Sequence, residues 1–312
     1  MNKIYGLNLD ALRLCYEIKE PYNLHYIKNK EIGETIDFFD FYLLRIDGKY
    51  YEYVYQIRYN DLGENKLFGE LRFGLSKDNE DANKHSNGNR KAWISLANRV
   101  LYNNELYYLD HIAYNLGLKL HNITALDLCL DMSTDIARQI KKLMRNQDIT
   151  TILNGKQIFN RKEDRPEITY VYSGDMDRDK YLTVNIKQKK AIKDKSKGTT
   201  LLAYNKKAEI NNSSGKDYIK NLYQNPSKLH RLEIHLNNED IKRYMDNNGT
   251  ELSFYTFVDM DFLFKLFLHS LRSILRFRIG IKEISWIDIL TGDITTSPTK
   301  AKSLVANYSK TA

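Results

Sequence analysis

Apolar and polar residues alternate with a period of two across residues 38–75. Phe41-Tyr42-Leu43-Leu44-Arg45-Ile46 runs up to Asp47-Gly48, Tyr50 to Tyr59 alternates around charged positions, and Leu67-Phe68-Gly69-Glu70-Leu71-Arg72-Phe73-Gly74 follows a turn at Gly63. Alternation places every second side chain on one face of a strand, and Asp-Gly between aromatic-rich runs marks a tight hairpin. Residues 38–75 therefore read as strands, and the polar, turn-rich stretch at 76–90 as a surface loop. Ala92 to Leu118 has helical spacing in two pieces, with a break near Asn103-Asn104. Ala125 to Met132 is a short apolar run punctuated by Asp, which predicts a central strand, and Asp135 to Arg145 returns to helical spacing.

Further along, Glu167–Tyr172, Tyr181–Ile186, Thr199–Tyr204 and Lys228–Leu236 read as strands. Residues 255–278 are apolar on most sides, which predicts a helix deep in the core, and Lys282–Leu290 a short second helix. Pro298 onward is polar and expected to fray. Strands fall in clusters instead of alternating with helices, so the fold class is α+β: one mixed or antiparallel sheet flanked by helices. No internal repeat or linker divides the 312 residues. The expected organisation is one domain over 1–290, with a β-rich part at 38–75 and a core at 120–290, followed by a tail at 291–312.

Composition narrows the classes. With 42% hydrophobic and 28% charged residues, the chain has enough apolar surface for a core and is not a disordered polymer. The formal charge of +8 favours an anionic partner, nucleic acid among them, although many ordinary proteins reach this value. Six Lys and one Asp fill the eleven residues 187–197, including Lys189, Lys190 and Lys193. Two readings stay open for that run: a solvated loop, or a track for a DNA backbone, with salt sensitivity as the discriminator. Cys15 and Cys129 are the two cysteines, too few for a disulfide framework or a Cys-only zinc site, so a reducing, cytoplasmic location is expected. The N-terminus carries Asp10 and Arg13 within its apolar stretch, unlike a signal peptide. The longest apolar region, 254–277, holds too many charges for a membrane span, so no membrane partner is expected.

Three segments can carry chemistry. In Leu126-Asp127-Leu128-Cys129-Leu130-Asp131, strand alternation sets Asp127, Cys129 and Asp131 on one face. Paired carboxylates can hold Mg²⁺ or Mn²⁺, which take hard oxygen ligands, or they can be an exposed sheet face and a helix cap. In Arg231-Leu232-Glu233-Ile234-His235-Leu236, Arg231, Glu233 and His235 share the polar face. Glu233 and His235 can share a cation while Arg231 forks onto a phosphate, or Arg231 and Glu233 can be an ordinary ion pair. In Leu201-Leu202-Ala203-Tyr204-Asn205-Lys206-Lys207-Ala208-Glu209, a tyrosine ends an apolar strand beside two lysines. A phenol with an ordinary pKa of about 10 needs a cation, metal or base to act as a nucleophile, and with 23 tyrosines in the chain composition alone favours a structural role. There is no Walker A loop, no G-x-S-x-G elbow, no HExxH helix and no His-hydrophobe-His pair.

Taken in order, these segments resemble the replication initiation factors of rolling-circle plasmids of Gram-positive bacteria, with relatives in phages and mobile elements. Tyr204-Asn205-Lys206-Lys207-Ala208-Glu209 looks like that family's Tyr-Asn-Lys-Lys-x-Glu motif, Arg231-Leu232-Glu233-Ile234 like its Arg-Val-Glu-Ile strand, and Leu126–Asp131 like its paired-Asp strand. Ile281-Lys282-Glu283-Ile284-Ser285-Trp286-Ile287-Asp288 is similar to its Lys-Glu-Ile-Ser-Pro-Val-Asp segment. The likeness covers about residues 65–290. His235 stands where the family often carries a second Glu, and the family's Gly-x-x-x-Ser stretch before the tyrosine is not evident, the Lys-rich run occupying that region.

The resemblance implies a metal-dependent DNA nicking-closing enzyme. Tyr204 would be the nucleophile, forming a 5′-phosphotyrosyl adduct and leaving a free 3′ hydroxyl. Asp127, Asp131, Glu233 and His235 would supply ligands for Mg²⁺ or Mn²⁺, and Lys206 and Arg231 would stabilise charge at the phosphate. Apart from the resemblance, Lys189, Lys190 and Lys193 of the lysine run, with Lys207, are the candidate DNA contacts. The implied partners are a replication or transfer origin, a host helicase and a second copy of the chain. A relaxase of a mobilisable element would use the same chemistry. A DNA-binding regulator that no longer cuts and a metal nuclease that uses water are the alternatives of other classes.

Overall fold

Two fifteen-residue strands, β1 (Ile4–Ile18) and β7 (Leu118–Met132), pair antiparallel along their length and form the middle of the molecule. The structure, a computed structural model, describes residues 3–19, 21–38, 40–61, 63–75, 90–103, 105–158, 168–175, 180–188 and 198–292. Between β1 and β7 lie β2 (Thr35–Phe38), β3 (Phe41–Ile46), β4 (Tyr51–Asp61), β5 (Glu64–Leu75) and β6 (Lys91–Leu96). After β7 come β8 (Thr150–Leu153), β9 (Lys156–Ile158), β10 (Ile168–Asp175), β11 (Lys180–Gln188), β12 (Thr200–Tyr204), β13 (His230–Asn237), β14 (Leu275–Ile279) and β15 (Lys282–Glu283). Among the described residues these make an 11-stranded sheet in the order β10-β11-β12-β13-β7-β1-β6-β5-β4-β3-β2 and a 4-stranded sheet in the order β15-β14-β8-β9. Neighbouring strands pair antiparallel. The α+β class with clustered strands is as expected. The N-terminal cluster is a meander, β2 to β5, joined to β1 through β6.

The helices are α1 (Pro21–Lys28), α2 (Asn98–Tyr102), α3 (Tyr108–Asn115), α4 (Ile136–Arg145), α5 (Lys206–Glu209), α6 (Asp217–Leu222), α7 (Asn238–Asn248), α8 (Met260–Ile274) and α9 (Trp286–Thr291). On one face of the central strands, Leu126, Leu128, Leu130, Leu232, Ile234 and Leu236 are buried, and α4, α7 and α8 pack against these strands. Helix α4 starts where Asp135 caps it, its carboxylate accepting from the Arg138 backbone N–H at 3.0 Å, and runs to Arg145 as its spacing predicts.

Three expectations are corrected. Residues 92–118 do not begin as a helix: Lys91-Ala92-Trp93-Ile94-Ser95-Leu96 forms β6, which needs the long-range partners β1 and β5, before α2 and α3 follow. The continuous helix expected over 255–278 is three elements. Asp259 caps α8 by accepting from Asp261 and Phe262, which separates it from a 3₁₀ turn at Phe254–Phe257. At Leu275 the pattern changes to the period-two alternation of Leu275-Arg276-Phe277-Arg278-Ile279 and becomes β14. The helix expected from Lys282 begins at Trp286, after a Ser285 cap, because Lys282 and Glu283 pair with β14. The loop expected at 76–90 and the tail from Pro298 lie outside the described residues, save Arg90.

Candidate functional site

Strand register gathers the chemistry. Opposite residues of an antiparallel pair share a face. β13 meets β7 with Arg231 opposite Asp131, Glu233 opposite Cys129 and His235 opposite Asp127. β12 meets β13 with Tyr204 opposite Arg231. Tyr204, Arg231, Glu233, His235, Asp127, Cys129 and Asp131 therefore lie on one face, opposite to the leucine face. β1 adds Asn8, opposite Cys129, and Asp10, which sits where the β1–β7 register shifts between Leu9 and Ala11.

Tyr204 ends β12, and its hydroxyl donates to Glu233 Oε2 at 2.9 Å. The Lys206 ammonium lies 5.7 Å from the centre of the Tyr204 ring and pairs with Glu209 at 2.8 Å. Lys206 is buried, at 2% exposure. Asn205 starts α5 by accepting from the Ala208 N–H, so the chain turns away at once after the tyrosine, and a π-helical turn at Ile210–Ser214 leads on to α6. Such turns often mark functional sites.

Arg231 is fully buried. Its Nε and Nη2 each donate to Asp131 at 2.7 Å, Nη1 to Asp10 at 2.6 Å, and Nη2 also to the Tyr102 hydroxyl at 2.7 Å. The fork that the sequence offers to a phosphate is thus occupied by a carboxylate. Asp131, likewise fully buried, has both oxygens on that fork, and Oδ2 also accepts from Tyr223, whose own hydroxyl accepts from Asn8 at 2.6 Å. The geometry gives Asp131 to the Arg231 guanidinium instead of to a metal ion. Cys129 lies beneath this cluster with its sulfur 3.3 Å from the Tyr102 hydroxyl, and burial pushes its thiol well up, which keeps it neutral and inert.

Electrostatics divide the acids. Burial pushes the Asp10 carboxyl up, but Arg231, the Tyr102 hydrogen bond and Lys206 together outweigh it and hold Asp10 well below the usual range. Glu233 goes the other way: burial first and the Asp10 charge second raise it, and Arg231 only partly opposes them. Burial and the Glu233 charge push the Tyr204 phenol up, against Arg231. The hydrogen bond to Asp127 raises His235, against burial. At rest the phenol is therefore a neutral donor to a carboxylate that binds protons readily, the arrangement of a nucleophile next to its base.

Asp127 bonds His235 Nδ1. Among the described residues no three His, Cys, Asp or Glu side chains are gathered as metal ligands are. The donor set of Asp127, Glu233 and His235 is still one that hard divalent cations take, and a cation would offset the Asp10 and Asp127 charges that add to burial in raising Glu233. Lys207 holds the Pro226 carbonyl through Nζ at 2.8 Å, while Lys189, Lys190 and Lys193 lie outside the described residues.

Asp10, Tyr102, Asn8 and Tyr223 were not among the residues singled out by motif. Asp10 had one visible signal, a carboxylate inside the otherwise apolar alternation of Leu7-Asn8-Leu9-Asp10-Ala11-Leu12. No protein-family model matches the chain, and no curated protein matches it. Among solved structures it is similar to a rolling circle replication initiator protein from Geobacillus stearothermophilus, with a TM-score of 0.47 and 12% identity over 92% of this chain and 96% of that one.

Proposed function

We propose that this chain nicks and rejoins DNA by tyrosine transesterification and so initiates rolling-circle replication of a plasmid, phage or other mobile element. The observation that carries the reading is the 2.9 Å hydrogen bond from the Tyr204 hydroxyl to Glu233, with the Lys206 ammonium beside the ring. The motif resemblance supports it independently. Tyr204 oxygen attacks a backbone phosphorus, its proton passes to Glu233, and the bond from phosphorus to the 3′ oxygen breaks. That oxygen leaves as a 3′ hydroxyl after taking a proton, and the 5′ phosphate stays on Tyr204. The phosphodiester is exchanged for a phosphotyrosyl ester, so no nucleoside triphosphate is consumed, in keeping with a chain that has no Walker A loop. Lys206 stabilises the negative charge that develops on the phenol oxygen. Arg231 acts through others, fixing β13 against β7 and β1 so that Glu233 meets Tyr204. Asp127, Glu233 and His235 would hold Mg²⁺ or Mn²⁺, which would supply Lewis-acid polarisation of the phosphoryl oxygens.

The reading is tested by incubating the protein with origin DNA candidates from its own genetic neighbourhood. A covalent DNA–protein species in a denaturing gel and a polymerase-extendable 3′ end are expected together. Nicks without the adduct would make water the nucleophile, and binding without nicks would make the protein a regulator.

Glu233→Gln separates the roles of the acid. The folded state raises the Glu233 pKa above its unfolded value, so ionised Glu233 at neutral pH works against folding. A neutral amide that still accepts from Tyr204 should stabilise the metal-free protein by on the order of 1 kcal/mol, read as a higher unfolding midpoint, while nicking falls about 10²-fold or more with the base removed. A lower midpoint with unimpaired nicking would remove Glu233 from the reaction. For the lysine run, replacing Lys189, Lys190 and Lys193 by Ala should weaken binding to all sequences alike. The log–log salt dependence should flatten by roughly 0.9 per lost contact on duplex or 0.7 on single strands, and an unchanged slope returns the run to a solvated loop.

A further inference from the structure

A cleft of about 240 Å³ lies beside the Tyr204 motif, lined by Asn205, Lys207, Asn211, Asn212, Ser227 and Lys228 with Leu229 and His230 in its wall. It sits where the sheet ends, since Tyr204 closes β12 and His230 opens the antiparallel β13. We infer that this cleft is a subsite for one backbone phosphate of the DNA strand next to the scissile phosphate, an inference that rests on the nicking reading for its placement but not for its chemistry.

The lining carries two ammonium groups and no carboxylate. Its asparagines are turned toward anion binding by bonds made elsewhere. Asn205 Oδ1 accepts from the Ala208 backbone N–H at 2.9 Å, and Asn211 Oδ1 accepts from Lys220 Nζ at 2.8 Å. Both partners can only donate, so in each amide the oxygen is committed and the NH₂ group remains to donate. Among the described residues neither NH₂ meets a protein acceptor. Two lysines, two amide donors and the Ser227 hydroxyl around one cleft match an anionic group such as a phosphodiester and mismatch a cationic ligand.

Rigidity and size support a single phosphate. Lys207 is pinned at both ends, its backbone N–H on Leu229 O at 3.0 Å and its Nζ on Pro226 O at 2.8 Å, which fixes the loop that carries Ser227 and Lys228. At about 30 Å³ per water, the cleft has room for about eight waters, enough for a phosphate with part of its sugars. Asn205 follows Tyr204 directly in the chain and His230 precedes Arg231 on β13, so the cleft opens at the strand ends that carry Tyr204 and Arg231, where a DNA strand passing round the sheet end would meet it. Asp135, which approaches His230 Nδ1 at 3.8 Å, is engaged by the Arg138 backbone and side chain and does not line the cleft.

The experiment uses the full chain and single-stranded origin oligonucleotides in which one linkage at a time is a neutral methylphosphonate. Lys228 and Asn212 are exposed, so Lys228→Gln and Lys228→Gln/Asn212→Ala should fold as wild type does. With wild type, one position near the nick should weaken binding about 5- to 10-fold. With Lys228→Gln, unmodified DNA should bind about that much more weakly, the salt slope should flatten by about 0.7, and the methylphosphonate at that position should then cost nothing further. Equal methylphosphonate effects in wild type and variant, or an unchanged salt slope, overturn the inference. Inorganic phosphate at matched ionic strength should displace the oligonucleotide poorly. If phosphate binds through Lys228 while the DNA shows no coupling, the cleft serves a free anion and the inference again fails. Adduct formation by wild type is scored separately: coupling without any adduct keeps the subsite and sinks the nicking reading, and adduct without coupling does the reverse.

Discussion

Tyr204→Phe is expected to abolish both the covalent DNA adduct and nicking while leaving DNA affinity within about twofold of wild type. The substitution removes one oxygen and keeps the ring that packs beside Lys206. It also removes the hydrogen bond to Glu233, so a stability change of about 1–3 kcal/mol is the most that should follow. The activity loss should be total because, among the described residues, Tyr204 is the tyrosine whose hydroxyl meets Glu233. Among the described residues, Tyr102, Tyr218 and Tyr223 are the other tyrosines at the cluster, and their hydroxyls donate to Asp10, Asn98 and Asp131 instead of to Glu233. Adduct formation is read in a denaturing gel and mapped by mass spectrometry of the linked peptide. An adduct surviving in the Phe variant moves the nucleophile to one of these three, with Tyr218 the first to test, since it is the least buried of them and its phenol is pushed up only to about 12. Nicking that survives without an adduct moves the protein to the water-using nucleases.

What the sequence discloses and what it hides follow from the range of the interactions. The alternation of Tyr204's strand and of Arg231-Leu232-Glu233-Ile234-His235 is local, so both strands and their polar faces are legible. Which polar faces meet is not local. The pairing of Tyr204 with Arg231 and of Asp127 with His235 depends on antiparallel registers between distant segments. Asp10 enters only because β1 lies between β7 and β6, more than seventy residues away along the chain. The role of Arg231 is misread for the same reason. A lone arginine on a strand offers its fork to any anion, and only the arrival of two carboxylates from two other strands decides that the anion is the protein's own. The helix expected over 255–278 fails for a different cause. Its apolar residues satisfy a helical and an alternating pattern at once near Leu275, and pairing with β8 decides between them.

Arg231→Met is expected to cost about 3–5 kcal/mol of folding stability, the largest effect of any single substitution at the site. Among the described residues the guanidinium is the one cation bonded to Asp131, which is fully buried, and it also holds Asp10, which is 14% exposed at the side chain. Removing it leaves the fully buried Asp131 carboxylate without its guanidinium and takes from Asp10 its ion-pair partner, and an uncompensated buried charge costs that much. Arg231→Lys keeps the charge but has no fork to span Asp131 and Asp10, so it should lie between wild type and Met. The combination Arg231→Met, Asp131→Leu and Asp10→Asn should recover most of the loss, because replacing a buried ion cluster by neutral groups is often close to neutral. Denaturant unfolding measures all four proteins, and a loss below about 1 kcal/mol for Arg231→Met would show that the cluster does not hold the strands together. Acid gives the same interaction a second readout. The folded state depresses the Asp10 pKa below its unfolded value, so Asp10 contributes stability in full above the unfolded pKa of about 3.9, and that contribution is lost as pH falls through the lower folded value. Wild type should therefore lose stability faster than Asp10→Asn as pH falls from about 4, and parallel curves would remove Asp10 from the account. Activity should follow the geometry: with Arg231 gone, β13 is no longer fixed against β7 and β1, and Glu233 no longer meets Tyr204 at hydrogen-bonding distance, so nicking should fall even at temperatures where Arg231→Met remains folded.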